Sequence, residues 1–295
     1  MTLSLPVTSL GDRSGLSASI LGLGCSRLGS TLSGCGGAAA EALLRHALDA
    51  GVTLFDTANI YGQGESERLI GRALAGRRDE VTIVTKAGQR FTATQRVVAL
   101  AKSPLRQLVH RLPGLRGAIA SRRAAPLPRD YSSAHLQGAV EASLRRLRIE
   151  RIDLFLLHSP SAEAIRQGAP FELLDRLVQA GKLRAWGISC DDGAAAREAL
   201  RLPSVAALQL PLDVAQAMRP ALTQAAGQGI GLMLREIFAG QAGDAAARAA
   251  ALRAALQFER SVALVGTTSA RHLDEAVEAA RSITSPPSRP LETSA

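Results

Sequence analysis

The chain has 295 residues, a formal net charge of +9, 46% hydrophobic residues and 21% charged residues. That apolar fraction excludes wholesale disorder, and the length suits one large domain or two small ones. No run approaches the roughly 20 apolar residues of a membrane span, and residues 1–10 lack the basic and apolar regions of a secretory leader, so none is expected.

In chain order, residues 20–24 (ILGLG) read as a strand, followed by a Gly/Ser loop and a helix over 38–50. Residues 52–55 (VTLF) form the next strand, with a helix near 67–75, and 81–85 (VTIVT) the third. A long basic segment, 88–131, separates it from a helix near 133–147. Then come 152–157 (IDLFLL), a helix near 171–180, and strands at 183–188 (LRAWGI), 205–210 (VAALQL) and 230–234 (IGLML). Each of these three is followed by an Ala-rich helical stretch, poorly marked after 210. The last strand is 262–265 (VALV) and the last helix 271–281, with a Pro/Ser-rich tail, 282–295, expected to be disordered.

These strands are nearly continuous apolar runs, which is how strands covered on both faces read. Gly51, Gly181 and Gly229 each stand between a helix and the next strand, as a C-cap does. Eight βα units in a chain of this length predict a (β/α)8 barrel as one domain over 1–281, with 88–131 inserted after the third strand. A doubly wound open sheet is the alternative, but Gly22, Gly24 and Gly29 have the wrong spacing for a dinucleotide fingerprint.

Barrel chemistry gathers at the C-terminal strand ends. There the sequence places Asp56 after strand 2, Lys86 after strand 3 and His158 after strand 4. Ser189 follows strand 5, Gln209 lies near the end of strand 6, and Gly266, Thr267 and Thr268 follow strand 8. Tyr61, one of two tyrosines, lies five residues past Asp56. Singly, each has a plain reading: a helix cap, a solvated lysine, a core histidine, a turn tyrosine. Together they suit proton transfer to an oxygen whose carbon receives a hydride. A lysine ammonium favours the phenolate and lowers a tyrosine pKa of about 10, and an aspartate holds that lysine charged and oriented.

The run Gly51-Val-Thr-Leu-Phe-Asp56-Thr-Ala-Asn-Ile-Tyr61-Gly62, then Gly64-Glu-Ser-Glu67, resembles the aldo-keto reductase signature. Thr85-Lys-Ala-Gly88, the stretch ending at His158, Trp186-Gly-Ile-Ser189 and Gly266-Thr-Thr-Ser269 extend the resemblance over about residues 20–280. The resemblance implies a bacterial-type barrel reductase, near the sugar dehydrogenase branch, that uses a nicotinamide cofactor with NADP(H) favoured over NAD(H). By it, Tyr61 is the general acid or base, Lys86 lowers its pKa, Asp56 pairs with Lys86, and His158 orients the carbonyl. Ser189 and Gln209 match positions that hold the nicotinamide carboxamide, with Asp56 beside them. Gly24, Cys25 and Ser26 match the loop beside the nicotinamide ribose. Gly266, Thr267, Thr268, Arg271, His272 and Glu275 match the adenosine-phosphate site. The chain departs from the family at Cys190, at Leu212 and at Arg235-Glu236-Ile237-Phe238.

The basic segment holds nine Arg or Lys against one acid, Asp130, so it carries nearly all the net charge. With only 3% aromatic residues in the chain, a nucleic-acid partner is not expected despite a pI of about 10.6. Apolar residues from Val97 to Ile119 recur at helical spacing, predicting a basic amphipathic lid over the rim. Anionic-substrate recognition or adsorption to a membrane surface are the alternatives. The spacing of Cys25, Cys35 and Cys190 matches no zinc pattern, so no metal is expected and a cytoplasmic, reducing location is. The expected substrate is a small carbonyl compound or a sugar-like molecule. Two other functions fit a barrel: a Schiff-base aldolase or lyase using Lys86, and a non-catalytic nicotinamide-binding regulator.

Overall fold

The computed structural model describes residues 4–29, 35–91, 127–168, 170–239 and 245–284. A two-stranded antiparallel hairpin, β1 (Val7–Ser9) and β2 (Ser17–Ser19), precedes the strands expected from the sequence. Then follow β3 (Leu21–Gly24), β4 (Leu54–Asp56), β5 (Thr82–Ala87), β6 (Ile152–His158), β7 (Leu183–Ser189), β8 (Ala207–Pro211), β9 (Gly231–Arg235) and β10 (Ser261–Val265). These eight pair in parallel and close into a barrel, β10 returning to β3. The expected (β/α)8 barrel is therefore the fold.

Successive strand side chains point to opposite faces, and that alternation explains the apolar runs. Ile83, Phe155, Leu157, Trp186, Leu208 and Leu232 pack outward with the helices. Leu54, Val84, Leu154, Ala185, Ala207, Met233 and Val262 fill the barrel interior. Further along the same inward face, two residues on in four strands and four on in β6, come Asp56, Lys86, Gln209, Arg235 and His158. These five residues thus sit in the last inward layer of the strands, while Tyr61 comes from the turn after β4. Register fixes the heights. Asp56 is level with Val84, Lys86 with Leu156, and His158 with Ser189, which is level with Gln209.

The hairpin plugs the opposite end. Leu10, Leu16 and Ala18 join the interior cluster. A Cβ on Gly231 would collide with the Leu10 carbonyl, so only glycine lets the hairpin seat there. Hairpin strands of three residues carry too short a pattern to be read from sequence.

The helix Ser133–Leu147 starts where expected, with Ser132 accepting from the His135 N–H. Beyond β8 the poorly marked stretch forms two short helices, Leu212–Ala217 and Arg219–Gly227. The last helix, Ala270–Thr284, passes the expected end at 281, because Ile283 still packs against the core. The tail from 285 onward and the amphipathic stripe at 97–119 lie outside the described residues. The two ends of the basic segment meet, however. Gln89 bridges antiparallel to Arg129, the Arg90 N–H donates to the Pro128 carbonyl at 2.9 Å, and the Asp130 N–H donates to the Gly88 carbonyl at 2.8 Å. Among the described residues, no helix is long and apolar enough to cross a membrane.

Candidate active site

Lys86 is the centre of the arrangement. It is 1% exposed, and its Nζ donates to Asp56 Oδ1 at 2.6 Å, Asp56 Oδ2 at 2.8 Å and the Thr57 carbonyl at 2.9 Å. Two of these contacts go to the one Asp56 carboxylate, and a side-chain hydrogen bond links Lys86 to Tyr61 as well. Burial alone would pull the Lys86 pKa down; the Asp56 charge outweighs it and holds the ammonium more firmly than usual.

The chain beyond β4 folds back over β5. The Thr57 N–H donates to the Val84 carbonyl and the Asn59 N–H to the Lys86 carbonyl. Thr57 Oγ1 donates to Ser66 Oγ at 2.9 Å, and Ser66 Oγ donates to the Cys25 carbonyl at 3.0 Å. This brings the turn Tyr61–Gln63 above the lysine, with Nζ 5.3 Å from the Tyr61 ring centre. The His158 ring meets Tyr61 edge-on, centroids 5.9 Å apart and planes at 88°.

Burial pushes the Tyr61 phenol above its ordinary value, although the Lys86 charge pulls the other way. Lys86 lowers this pKa as expected, by its charge and a side-chain hydrogen bond, but desolvation is the larger effect in the enclosed site. Burial, then the Lys86, Arg235 and Arg129 charges, depress His158 to about 3. It is a neutral imidazole at any working pH, and its buried Nδ1 has no hydrogen-bond partner.

These side chains open into a cavity of about 500 Å³ at the C-terminal mouth. Asp56, Tyr61, His158, Ser189 and Gln209 line it, with Gly24, Ser26 and Gly266 from the strands that close the barrel. Ser189 Oγ donates to Gln209 Oε1 at 2.9 Å, and Gln209 Nε2 donates to Asp56 Oδ1 at 2.9 Å. A polar chain thus runs from β7 through β8 to β4 and the lysine. Ser189 and Gln209 each keep hydrogen-bonding capacity toward the cavity.

Other expected residues lie elsewhere. Cys25 is fully buried in the outer core, its Sγ on the Leu23 carbonyl, and burial pushes its thiol far up. It does not line the cavity, because the alternation that points Gly24 inward turns Cys25 outward. Cys190 is likewise buried. Thr267 holds its own loop, its Oγ1 accepting from the Ser269 N–H at 3.1 Å. Thr268 is half-buried, and Arg271, His272 and Glu275 are exposed on the first turns of the last helix, outside the cavity. Arg271 is paired there with Glu275 at 2.8 Å. Among the described residues, no group of three or more His, Cys, Asp or Glu is arranged to hold a metal ion.

The structure adds two residues that the motif reading passed over. Tyr131 Oη donates to the His158 carbonyl at 2.8 Å, and its ring covers Gly88, which has φ +127°. Any Cβ at Gly88 would run into that ring. Arg235, noted only as a departure, ends β9 inside the cavity wall, donating to Asp191 Oδ1 at 2.6 Å and the Cys190 carbonyl at 3.2 Å. Its signal was the inward alternation of β9, the rule that places Lys86.

Residues 20–248 match the model of the Aldo/keto reductase family, and the chain belongs to that family. YhdN of Bacillus subtilis, an aldo-keto reductase, is 33% identical over 186 residues, which are 62% of this chain and 46% of YhdN. The chain spans less than half the length of the curated relatives it matches first. PA4992 of Pseudomonas aeruginosa has the same fold with a TM-score of 0.74 and 27% identity, over 96% of this chain and 98% of that one. A Klebsiella pneumoniae aldo-keto reductase solved in complex with NADPH shares the fold at a TM-score of 0.66 and 20% identity, over 94% of this chain and 90% of that one.

Proposed function

We propose that this chain is a nicotinamide-dependent oxidoreductase that interconverts a small carbonyl compound and its alcohol, with Tyr61 as the general acid and base. The observation that carries the reading is the Asp56–Lys86 pair beneath Tyr61, with neutral His158 edge-on in the same cavity. In reduction, the Tyr61 hydroxyl gives its proton to the substrate oxygen as the carbonyl carbon gains a hydride. The phenolate left behind is stabilised by the Lys86 charge in a site of low dielectric. His158, neutral, donates one hydrogen bond that orients the carbonyl. In oxidation the same groups run backwards.

The residues fit a nicotinamide dinucleotide. Ser189 Oγ offers an acceptor and the second Gln209 Nε2 hydrogen a donor to a carboxamide, and a Cβ on Gly266 would meet open space, leaving room beside Gly24. The last helix begins with no acid in its first turn and carries Arg271 and His272 there, which favours phosphate and supports NADP(H) over NAD(H). The bound dinucleotide supplies or accepts the hydride.

The aldolase reading needs a neutral amine, whereas Asp56 keeps Lys86 protonated. Titration of NADPH and NADH by fluorescence, followed by a panel of aldehydes, ketones and aldoses, tests the proposal. Dinucleotide binding with turnover of carbonyls supports it. Binding without turnover leaves the regulatory barrel, and a borohydride-trapped adduct on Lys86 leaves the aldolase.

A further inference from the structure

Among the described residues Glu67 is the most deeply buried carboxylate, 0% exposed, and the proton chemistry does not use it. It stands in the helix Glu65–Ala73, which follows directly on the turn that carries Tyr61. Its Oε2 accepts from Arg146 Nε at 2.5 Å and its Oε1 from Thr85 Oγ1 at 2.7 Å. Arg146 lies in the helix Ser133–Leu147 and also donates to Ser143 Oγ at 3.2 Å. We propose that the Glu67–Arg146 pair is a positioning device that fixes Tyr61 over Lys86, and so acts on the proton transfer from outside the cavity. The proposal rests on the oxidoreductase reading and deepens it by two residues that do not line the cavity.

Connectivity carries the first step. Thr85 precedes Lys86 in β5, and the alternation that points Lys86 inward turns Thr85 outward onto Glu67. On the other side of the pair, the Arg146 side chain lies against Gly64, where an added Cβ would stand 2.7 Å from its Cδ and 2.9 Å from its Nε. Gly64 has φ +83° and closes the turn Tyr61–Gln63, its N–H donating to the Tyr61 carbonyl at 3.0 Å. One charged pair thus grips both the strand that carries the lysine and the turn that carries the phenol.

Energetics carries the second. Taking two charges out of water offsets most of what their attraction returns, and well-packed apolar residues of similar volume often stabilise a fold as well or better. What a buried, directional pair adds is one defined geometry, because its hydrogen bonds are short and angle-dependent. The chemistry at the rim needs that geometry. Lys86 Nζ stands 5.3 Å from the Tyr61 ring centre, and the field of its charge on the phenolate falls with distance. A misplacement of about 1 Å at a reacting group costs on the order of a hundredfold in rate.

The test compares the wild type with Glu67→Gln, Arg146→Met and the double variant, all in the full chain. Each single variant leaves one partner without its counter-charge, so both should lose stability. The double variant removes both charges and should recover most of the melting temperature, while kcat for a reducible carbonyl stays about ten- to hundredfold low and dinucleotide affinity is unchanged. Recovery of kcat together with the melting temperature, or a defect confined to dinucleotide affinity, would overturn the proposal. Should the double variant not fold, Arg146→Lys decides: it keeps the charge but loses the second arm to Ser143, and kcat should fall several-fold with KM held. Unchanged kcat in that variant contradicts the proposal. The position of Tyr61 is read without turnover by fluorine NMR of protein labelled with 3-fluorotyrosine, since the chain has two tyrosines and the Tyr61 signal is the one lost in Tyr61→Phe. That signal should shift or broaden in the double variant or in Arg146→Lys, and an unmoved signal overturns the proposal. Absence of turnover with every carbonyl in the wild type bears on the oxidoreductase reading, and the fluorine signal then decides this one.

Discussion

Lys86 gives its short hydrogen bonds to Asp56 and the Thr57 carbonyl, and a further side-chain hydrogen bond reaches Tyr61. Its charge, with Nζ 5.3 Å from the ring centre, and its hydrogen bond both favour the phenolate, and their effect should appear in pH dependence. Because burial raises the Tyr61 pKa, carbonyl reduction should hold a plateau through neutrality and fall only above the ordinary tyrosine range near 10. Alcohol oxidation needs the phenolate, so its rate should climb over the same range. Steady-state profiles in both directions check this; a reduction limb falling near pH 7 would contradict it. His158 gives a stability prediction. Its pKa drops from 6.5 to about 3 on folding, so the unfolded chain binds the extra proton between those values. Stability should then fall as pH drops through that window. Melting curves should show His158→Gln losing less over that range than the wild type. Asp56, Lys86 and His158 were legible because each ends an apolar run at the side-chain period of the strand. Cys25 misled, because a motif position says nothing of which face a residue takes. Tyr131 was hidden, since its place on His158 depends on where a long segment returns.

At the scale of elements, Gly231 makes the sharpest case. Ala at Gly231 sets a Cβ against the Leu10 carbonyl, in a seam where neither backbone has room to yield. Overpacking of this kind typically costs about 1–3 kcal/mol. Gly231→Ala should lower the denaturant midpoint accordingly, and an unchanged midpoint would show that the hairpin does not seal the barrel. Tyr131 tests the opposite rim. Tyr131→Phe removes one hydrogen bond, worth roughly 0.5–1.5 kcal/mol, and loosens the backbone of His158. It should lower kcat several-fold while leaving the dinucleotide affinity and the pH limbs in place. Full kcat in the Phe variant would reduce the contact to packing. The barrel strands were legible because alternate residues fill two cores, one inside and one outside. The hairpin was not, having three-residue strands whose worth lies in tertiary contact with Leu10 and Gly231.

For the whole molecule, the segment after β5 carries nearly all the net charge, and its described ends meet at Gln89 and Arg129. A scaffold that closes without it should tolerate its loss. Its sequence carries the expectation of a lid, at residues outside those described, and deletion tests it. Replacing residues 92–126 by a short linker should leave thermal unfolding cooperative, while KM rises or substrate choice shifts. Salt-sensitive sedimentation with anionic liposomes, lost on the same deletion without kinetic change, would instead mark a membrane-surface element. The central claim is that one phenol at this rim moves the proton. It is tested most directly by Tyr61→Phe, assayed by dinucleotide fluorescence titration and by turnover of a reducible carbonyl on the same preparation. The account predicts dinucleotide binding within a few-fold of wild type and turnover lower by about 10²–10⁴, the usual worth of general acid catalysis. Near-wild-type turnover by the Phe variant would contradict it.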